Sequence, residues 1–316
     1  MRNLPEANKM KALVTGAYGF LGRHTAYMLH TNGFAVTGIG NGSWSDAQAR
    51  QYGISRWVES EVTLKSLIAL KDNFDVIVHC AGSGSVGYSI TEPFKDLNKT
   101  VLSAAAVLEY IRNSSTETRL VYPSSAGVYG AKADTPILEV SSLSPASPYG
   151  YHKKIVEDLC RSYSESYGLT IIIIRFFSIY GEGLKKQLLW DVCRKLSLAT
   201  RDKPAELYGT GLETRDLLHI QDATNLIFNV LSTNMKQLCI VNGGTGIRSK
   251  ISDVVAILGE RIGIMPYYFF NGESRPGDPQ FFLADISKAV LLGWEPSITL
   301  YGGLSRYVQW FRTVKL

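Results

Sequence analysis

The sequence predicts an α/β protein with a doubly wound, parallel sheet and a smaller C-terminal lobe. Three observations support this fold class. Short β-branched runs alternate with longer helical patterns through the first 180 residues, a glycine motif follows the first strand-like run, and the alternation becomes irregular after residue 180. Regular alternation of strands and helices is typical of βαβ units, whose strands lie parallel in one sheet.

The predicted elements follow one another in a simple order. Strand-like runs are read at "KALVTG", "FAVTGIG", "DVIVHCAG", "RLVYPSS" and "TIIIIRF" because they are short and rich in Val, Ile and aromatic residues. Helical periodicity is read between them, near 20–32, 63–71, 94–112 and 148–167. Further along, "NLIFNVLS" and "QLCIVNGG" predict one more helix and a strand that returns to the sheet.

Two lobes are predicted from this pattern. Residues 1–178 with 217–243 form the main dinucleotide-binding lobe, and residues 179–216 with 244–316 form the smaller lobe. No Pro/Gly/Ser-rich linker separates them. The two lobes are therefore expected to share one interface rather than move on a tether.

Composition excludes several classes of function. The chain has 316 residues, 45% of them hydrophobic, and a mild net charge of +5 without a block of basic residues. We therefore expect neither a nucleic-acid nor a membrane partner. Four scattered cysteines and five histidines show no metal-ligand spacing, and no apolar leader precedes the first strand. The expectation is a cytoplasmic protein without a metal.

The stretch "VTGAYGFLG" carries the first functional motif. Gly16, Gly19 and Gly22 lie directly after a strand and open a helix. Glycines there let the backbone approach a pyrophosphate, and the helix N-terminus offers unpaired N–H groups. A glycine triplet alone also fits a tight turn, but the strand before it and the helix after it predict a dinucleotide site.

The end of the second strand bears on the choice of cofactor. NAD sites usually carry an acidic residue there, which binds the adenosine ribose. This chain has Gly40 and Asn41 instead, and the nearest arginines, Arg50 and Arg56, lie further along. The missing carboxylate removes repulsion against a 2′-phosphate without adding an attracting charge, so both NAD and NADP stay open.

Candidate catalytic residues follow the strand near 120. Ser124 and Ser125 end this strand, at the sheet edge where α/β folds bind ligands. The next helix contains "YGYHK", which offers a pair four residues apart, Tyr149 with Lys153, and a pair three apart, Tyr151 with Lys154. A neighbouring ammonium favours the phenolate and lowers the pKa of a tyrosine, which is otherwise about 10.

Together these motifs resemble the extended short-chain dehydrogenase/reductases, the NAD-dependent epimerase/dehydratase family, in its nucleotide-sugar 4-epimerase-like branch. The resemblance spans nearly the whole chain. The segments "HCAGSGSVGYSITEP", "RFFSIYG", "GTGLETRDLLHIQDA" and "RPGD" are similar to family segments and occur in the family's order. The implied fold is a Rossmann sheet, with the smaller lobe binding the nucleotide sugar.

The resemblance assigns roles residue by residue. It implies that Ser125, Tyr149 and Lys153 are catalytic, which selects Tyr149 over Tyr151. The implied cofactor-binding residues are Gly16, Tyr18, Gly19, Phe20, Leu21, Gly22, Gly40, Asn41, Ala81, Gly82, Thr100, Tyr149 and Lys153. The implied substrate-binding residues are Ser83, Ser124, Ser178, Arg215, Arg275 and Asp278. Thr100 and Ser178 depart from the family, which often has asparagine at both positions.

The resemblance also implies a reaction. The leading expectation is a nucleoside-diphosphate-hexose 4-epimerase that works through a 4-keto intermediate, with NAD slightly favoured over NADP. The alternative is an NADPH-dependent reductase of a 4-keto-6-deoxy nucleotide sugar, and a third reading is a non-catalytic NADP(H)-sensing protein. Dehydration is disfavoured because Ala126 and Gly127 stand where dehydratases carry acid/base carboxyls.

A homodimer is implied as well. Its interface would be built from the helices near 100–112 and 149–167, and the apolar stripe expected to need cover comprises Val101, Ala104, Ala105 and Leu108.

Overall fold

A computed structural model describes residues 9–130, 135–235, 237–263, 267–273 and 282–314. Its centre is a parallel sheet of seven strands in the order β11-β6-β5-β4-β1-β2-β3. The strands are β1 Lys11–Thr15, β2 Ala35–Gly40, β3 Ile54–Glu59, β4 Val76–His79, β5 Arg119–Ser125, β6 Ile171–Phe176 and, after four short strands, β11 Leu238–Gly243. The predicted fold class is confirmed.

Helices cover both faces of this sheet. They are α1 Phe20–Thr31, α2 Asp46–Gln51, α3 Leu64–Ile68, α4 Val86–Thr91, α5 Pro93–Leu97, α6 Ser103–Ser114, α7 Pro148–Tyr167 and, further along, α9 Ile220–Ser232. Apolar side chains of the strands point alternately to the two faces, so two separate cores form. One core packs against α1 and α9, and the other packs against α3, α6 and α7.

The remaining elements form a smaller region with its own apolar core. They are β7 Ser178–Tyr180, α8 Gln187–Leu198, β8 Ala205–Leu207, β9 Thr214–Arg215, β10 Leu217–His219, β12 Ser249–Lys250, α10 Ile251–Ile262, β13 Tyr268–Phe270 and α12 Leu300–Thr313. The short helix α11 Ser287–Leu291 packs instead against β11, with Ala289 in the same core as α1 and α9. Side chains of α8, α10 and α12 meet in one cluster that includes Val192, Leu258 and Tyr307. Of the described helices, none combines the length and apolarity that a membrane crossing requires.

Two regions around the seven-stranded sheet differ from the prediction made from the sequence. The strand β3 and the short helix α2 before it were not predicted. In β3, "ISRWVE", the apolar residues are interrupted by the charged Arg56 and Glu59, because the strand lies at the edge of the sheet. The helix expected near 94–112 is three pieces, since a π-helical turn, Asn98–Leu102, separates α5 from α6. A π-helical turn inside an α-helix is often found at functional sites. Here the π-helical turn contains the buried Thr100.

The expected apolar stripe on α6 is partly wrong. Ala104 and Leu108 are 3% and 0% exposed within the single chain, because they pack into the core under the sheet. The exposed large apolar residues of the π-helical turn and of α7 are instead Leu102, Tyr151, Ile155 and Tyr167.

Candidate active site

The glycine motif forms a tight turn between β1 and α1. Gly16 has φ +65°, and a Cβ placed there would lie 2.6 Å from the backbone nitrogen of Ala81. A Cβ on Gly22 would lie 2.3 Å from the carbonyl oxygen of Gly16. Any larger residue at either position would push α1 away from β1 and β4.

The start of α1 fits the pyrophosphate of a dinucleotide. Gly19 is the N-cap and provides no side-chain hydrogen bond to the helix, so amides of the first turn face outward without a side-chain partner. Unpaired amides and the positive end of the helix dipole favour an anion. Tyr18, Phe20 and Leu21 complete the turn, with Tyr18 37% exposed.

Backbone beyond β4 closes the opposite side of this turn. Ala81 donates its amide to the Thr15 hydroxyl over 3.3 Å. Thr100, from the π-helical turn, accepts the amide of Ser83 at 3.2 Å and lies beside Gly82, which has φ +127°. The hydroxyl of Thr100 therefore holds the loop that contains three predicted ligand-binding residues.

Aromatic side chains surround the end of β2, where NAD sites usually have a carboxylate. The ring of Tyr18 lies so close to Gly42 that a Cβ there would approach it to 2.4 Å. Tyr18 packs on Trp44 with 4.7 Å between ring centroids, and the Arg23 guanidinium lies 5.7 Å from the Tyr18 ring. Gly40 is buried and Asn41 is exposed at the same strand end.

The predicted catalytic residues come together between β5 and α7. Ser125 ends β5, and its hydroxyl and the Tyr149 ring both lie against Gly127, close enough for Ser125 to lower the pKa of the phenol. Lys153 lies one turn further along α7, with its Nζ 6.0 Å from the centre of the Tyr149 ring. Tyr151 is 54% exposed on another face of the helix. The geometry thus brings together Ser125, Tyr149 and Lys153, while their roles stay predictions.

Local sequence explains why α7 begins where it does. Ser147 caps the helix by accepting the amide of Gly150, and Pro148 occupies the first turn, where its missing N–H has no cost. Gly150 is required for close packing, since a Cβ there would lie 2.5 Å from the carbonyl oxygen of Gly127. This contact brings the first turn of α7 against the turn that follows Ser125.

Lys153 is buried and donates to the carbonyl oxygen of Pro123 over 2.9 Å. Its Nζ also lies 4.7 Å from the centre of the Tyr122 ring. Burial lowers the pKa of Lys153 to about 8, although nearby acidic groups oppose this change. Burial, helped by the Lys153 charge, also lowers the pKa of His79 to about 3, so this imidazole is neutral at physiological pH.

The pKa of Tyr149 is raised, not lowered. Loss of hydration is the largest cause, the hydrogen bond with Ser125 opposes it, and the charge of Asp96 adds to it. The expectation that Lys153 would produce a net decrease is therefore wrong for this arrangement. A cation close to the phenol is still needed to make the phenolate accessible.

Behind the catalytic residues lies a buried polar network. The sheet register places Ser124, Arg175 and Asn242 side by side on three adjacent strands. Ser124 donates to Glu157 over 2.5 Å, and Arg175 binds the same carboxylate through its Nε and Nη atoms. The hydroxyl of Ser124 is thus used inside the protein, and its predicted substrate role stays untested.

Tyr129 connects this network to the edge strand. Its hydroxyl donates to Asn242 over 2.7 Å and accepts from Arg175 over 3.1 Å. Asn242 in turn donates to the carbonyl oxygens of Ile137 and Asp285. The network therefore joins the catalytic helix to the chain segments before and after β11.

The predicted substrate residues of the smaller region are only partly described. Ser178 and Arg215 are both half-buried, and the amide of Ser178 donates to the carbonyl oxygen of Asp216. Asp216 is fully buried and accepts amides from Thr245, Gly246 and Ala284. Arg275 and Asp278 lie outside the described residues, so their predicted roles stay predictions.

Sequence reasoning missed several buried charged residues near the site: Asp96, His152, Glu157, Arg175 and Asp216. Arg175 and Asp216 stood inside quoted motifs, and Glu157 follows Lys153 by one helical turn, so spacing could have indicated them. Nothing in the sequence pattern indicated the pairing of Asp96 with His152. Within the described ranges, no cluster of three or more His, Cys, Asp or Glu residues could hold a metal ion.

Comparison with known proteins shows the family to which the chain belongs. The family model described as "NAD dependent epimerase/dehydratase family" matches residues 12–242. The UDP-glucuronate 4-epimerase of Thermodesulfobacterium geofontis is 27% identical over 311 residues, covering 94% of this chain and 95% of that protein.

Solved structures are similar over nearly the same length. The UDP-glucuronic acid 4-epimerase of Bacillus cereus, in complex with UDP-glucuronic acid and NAD, has a TM-score of 0.86 and 26% identity, covering 96% of this chain and 99% of that one. The UDP-glucose 4-epimerase of Thermotoga maritima, with UDP-glucose, has the same TM-score, 25% identity and the same coverage.

Proposed function

Because the chain belongs to the NAD-dependent epimerase/dehydratase family, we propose that it is an NAD-dependent UDP-sugar 4-epimerase. The observation that carries the proposal is the meeting of Ser125, Tyr149 and Lys153 at the carboxyl edge of the parallel sheet, the same edge at which the glycine turn follows β1. The similar proteins are named as 4-epimerases of UDP-glucuronate or UDP-glucose, which supports this proposal.

The residues of this chain account for the movement of the proton. Tyr149, as phenolate, accepts the proton of the sugar O4 hydroxyl, and Ser125 orients that oxygen by a hydrogen bond. Lys153 provides the positive charge that favours the phenolate. When bound, NAD supplies an acceptor for the hydride from C4 and later returns it. Tyr149 then gives its proton back to O4, so the net reaction changes only the configuration at C4.

Rotation of the 4-keto sugar within the site explains the inversion at C4. After oxidation C4 is a planar carbonyl, and the 4-keto sugar must present its other face before reduction. Arg215 and Arg275 are proposed to hold the diphosphate throughout, because guanidinium groups bind phosphates through paired, charge-assisted hydrogen bonds. A fixed diphosphate with a freely rotating sugar fits this requirement. Ser83 and Ser178 are proposed to bind the sugar side.

The experiment combines cofactor identification with an assay of products. We expect the purified protein to retain NAD and to convert UDP-glucose or UDP-glucuronate into its C4 epimer, observed by NMR of the anomeric protons. Comparing the rates with the two sugars shows whether the enzyme prefers a hydroxymethyl group or a carboxylate at C6. Net oxidation of NADPH with a 4-keto-6-deoxy nucleotide sugar, without epimer formation, would replace this proposal with a reductase.

The homodimer is proposed on the face that carries Leu102, Tyr151 and Ile155, which are 57%, 54% and 40% exposed. Two helices of each protomer, α6 and α7, would pair across it. A cytoplasmic location is also proposed, since all four cysteines are free thiols, as expected in a reducing compartment. Light scattering at micromolar concentration checks the dimer, and a monomer would contradict it.

A further inference from the structure

A buried aspartate and a histidine form a pair between α5 and the second turn of α7, next to Lys153. Asp96 comes from α5 and His152 from α7, and the Asp96 Oδ2 lies 2.5 Å from the His152 Nδ1. Asp96 is 0% exposed and His152 is 7% exposed. His152 immediately precedes Lys153 in the chain, so the pair lies in the same helical turn as the proposed catalytic lysine.

The second carboxylate oxygen of Asp96 has no hydrogen-bond partner among the described residues. A buried carboxylate that is only half paired is costly, and its presence calls for an explanation other than its own contribution to stability. Because water is excluded there, its charge acts on neighbouring groups over longer distances than it would at the surface.

Several titratable groups face this charge. Burial is the main influence on three of them: it lowers the pKa of Lys153 and raises the pKa of Tyr149 and of Tyr122. The charge of Asp96 acts on all three in the upward direction, against the effect of burial for Lys153 and with it for the two tyrosines. Lys153 is also influenced by Cys80, Glu157 and Cys160, and His79 lies within reach of the Lys153 charge. Among the charged groups named here, Asp96 is the one that influences the pKa of both Tyr149 and Lys153.

We propose that the Asp96–His152 pair is a positioning element for Tyr149 and Lys153: it anchors the first turns of α7 to α5 and places a buried negative charge next to the helical turns that carry both side chains. The proposal rests on the proposed function and assigns the pair no contact with substrate.

The charge has a defined consequence for pH dependence. Catalysis needs Tyr149 able to lose its proton, which gives the acidic limb of a pH profile, and Lys153 protonated, which gives the alkaline limb. A negative charge makes proton loss from both groups harder. Removing it therefore lowers both pKa values and moves the whole profile to lower pH, whereas a purely structural loss lowers the height of the profile and leaves its limbs in place.

The test compares two variants that differ only in this charge. His152→Asn keeps a donor for the Asp96 carboxylate, and Asp96→Asn/His152→Asn replaces the pair with two amides that can bond each other. Neither variant contains the histidine, so its titration cannot contribute. We expect both limbs of kcat/KM to lie about 1 pH unit lower in the double variant. Asp222→Asn, which neutralises another buried carboxylate bound to Ser297 and Ile298, should leave the limbs unmoved.

A second measurement does not depend on the proposed function. Absorbance at 295 nm, recorded against pH for the NAD-saturated protein minus its Tyr149→Phe counterpart, reports the Tyr149 phenolate directly. The midpoint should be lower in the double variant than in His152→Asn. A lower midpoint without turnover of any UDP-sugar would leave this inference standing and remove the epimerase. Equal midpoints together with unmoved limbs would overturn the inference.

Discussion

The two ends of the proposed cofactor site are built differently. At the catalytic end, between β5 and α7, Lys153 donates a buried hydrogen bond to Pro123 and Ser124 donates one to Glu157, and both Lys153 and Glu157 are nearly inaccessible. At the other end, after β2, Asn41 is exposed and the aromatic rings of Tyr18 and Trp44 are only partly covered. The chemistry is thus fixed by the core, while the part that would contact the adenosine is set by surface residues that are easier to change.

The largest expected effect is at the catalytic end. Tyr149→Phe removes only the hydroxyl that exchanges the proton, so turnover should fall by about 10² to 10⁴, with NAD binding nearly unchanged. Tyr151→Phe is the matched control, because that ring is exposed two residues away. Steady-state kinetics and NAD titration of both variants measure this. A Tyr149→Phe protein near wild-type rate would show that the catalytic end has been assigned to the wrong residue.

The buried network behind the helix should matter for stability. Glu157→Gln keeps an acceptor for Ser124 but leaves the buried Arg175 without its counter-charge. Breaking such a pair from one side costs about 3 to 5 kcal/mol in the free energy of unfolding. Urea denaturation measures it, with Glu165→Gln on the exposed face of the same helix as control. Equal stability of the two variants would mean that the core does not hold the catalytic end rigidly.

A smaller effect is expected in the smaller region, at the proposed site of the substrate diphosphate. Arg215→Ala should weaken binding of UDP and of UDP-sugar alike by about tenfold, without changing NAD affinity. Arg215→Lys should restore only part of it, because an ammonium lacks the planar fork. Calorimetric titration with UDP measures this, and the exposed Arg201→Ala is the control for general charge. Unchanged UDP binding would remove Arg215 from the substrate site.

The smallest effect is expected after β2. Asn41→Asp introduces, without a change of size, the carboxylate that NAD sites usually have at this strand end. Affinity for NADP should fall severalfold relative to NAD, because the carboxylate repels a 2′-phosphate. Fluorescence titration with both reduced cofactors gives the ratio, and Asn41→Ala separates charge from loss of the amide. An unchanged ratio would place the adenosine ribose away from this strand end.

The same contrast explains what the sequence could predict. Local signals located the strands β1, β2, β4, β5, β6 and β11, the turn at Gly16 and the start of α7, because each depends on neighbours in the chain. The edge strand β3 was missed because its exposed charged residues hide the pattern. The π-helical turn around Thr100 and the pairing of Asp96 with His152 depend on contacts between distant segments, and no periodicity encodes them. The raised pKa of Tyr149 was also missed, since burial cannot be read from spacing.

The position of β11 has a consequence for the order of folding. This strand joins the sheet only at its edge, beside β6, yet it provides Asn242, which Tyr129 needs as a partner from 113 residues earlier in the chain. During synthesis the ribosome must therefore release nearly four-fifths of the chain before the network behind Glu157 and Arg175 can close. Parallel pairings of this kind form late because long segments must first be brought together. Until then a nascent chain would hold Tyr129 and Arg175 incompletely paired, so the scaffold of the catalytic helix is completed by one of the last strands to emerge.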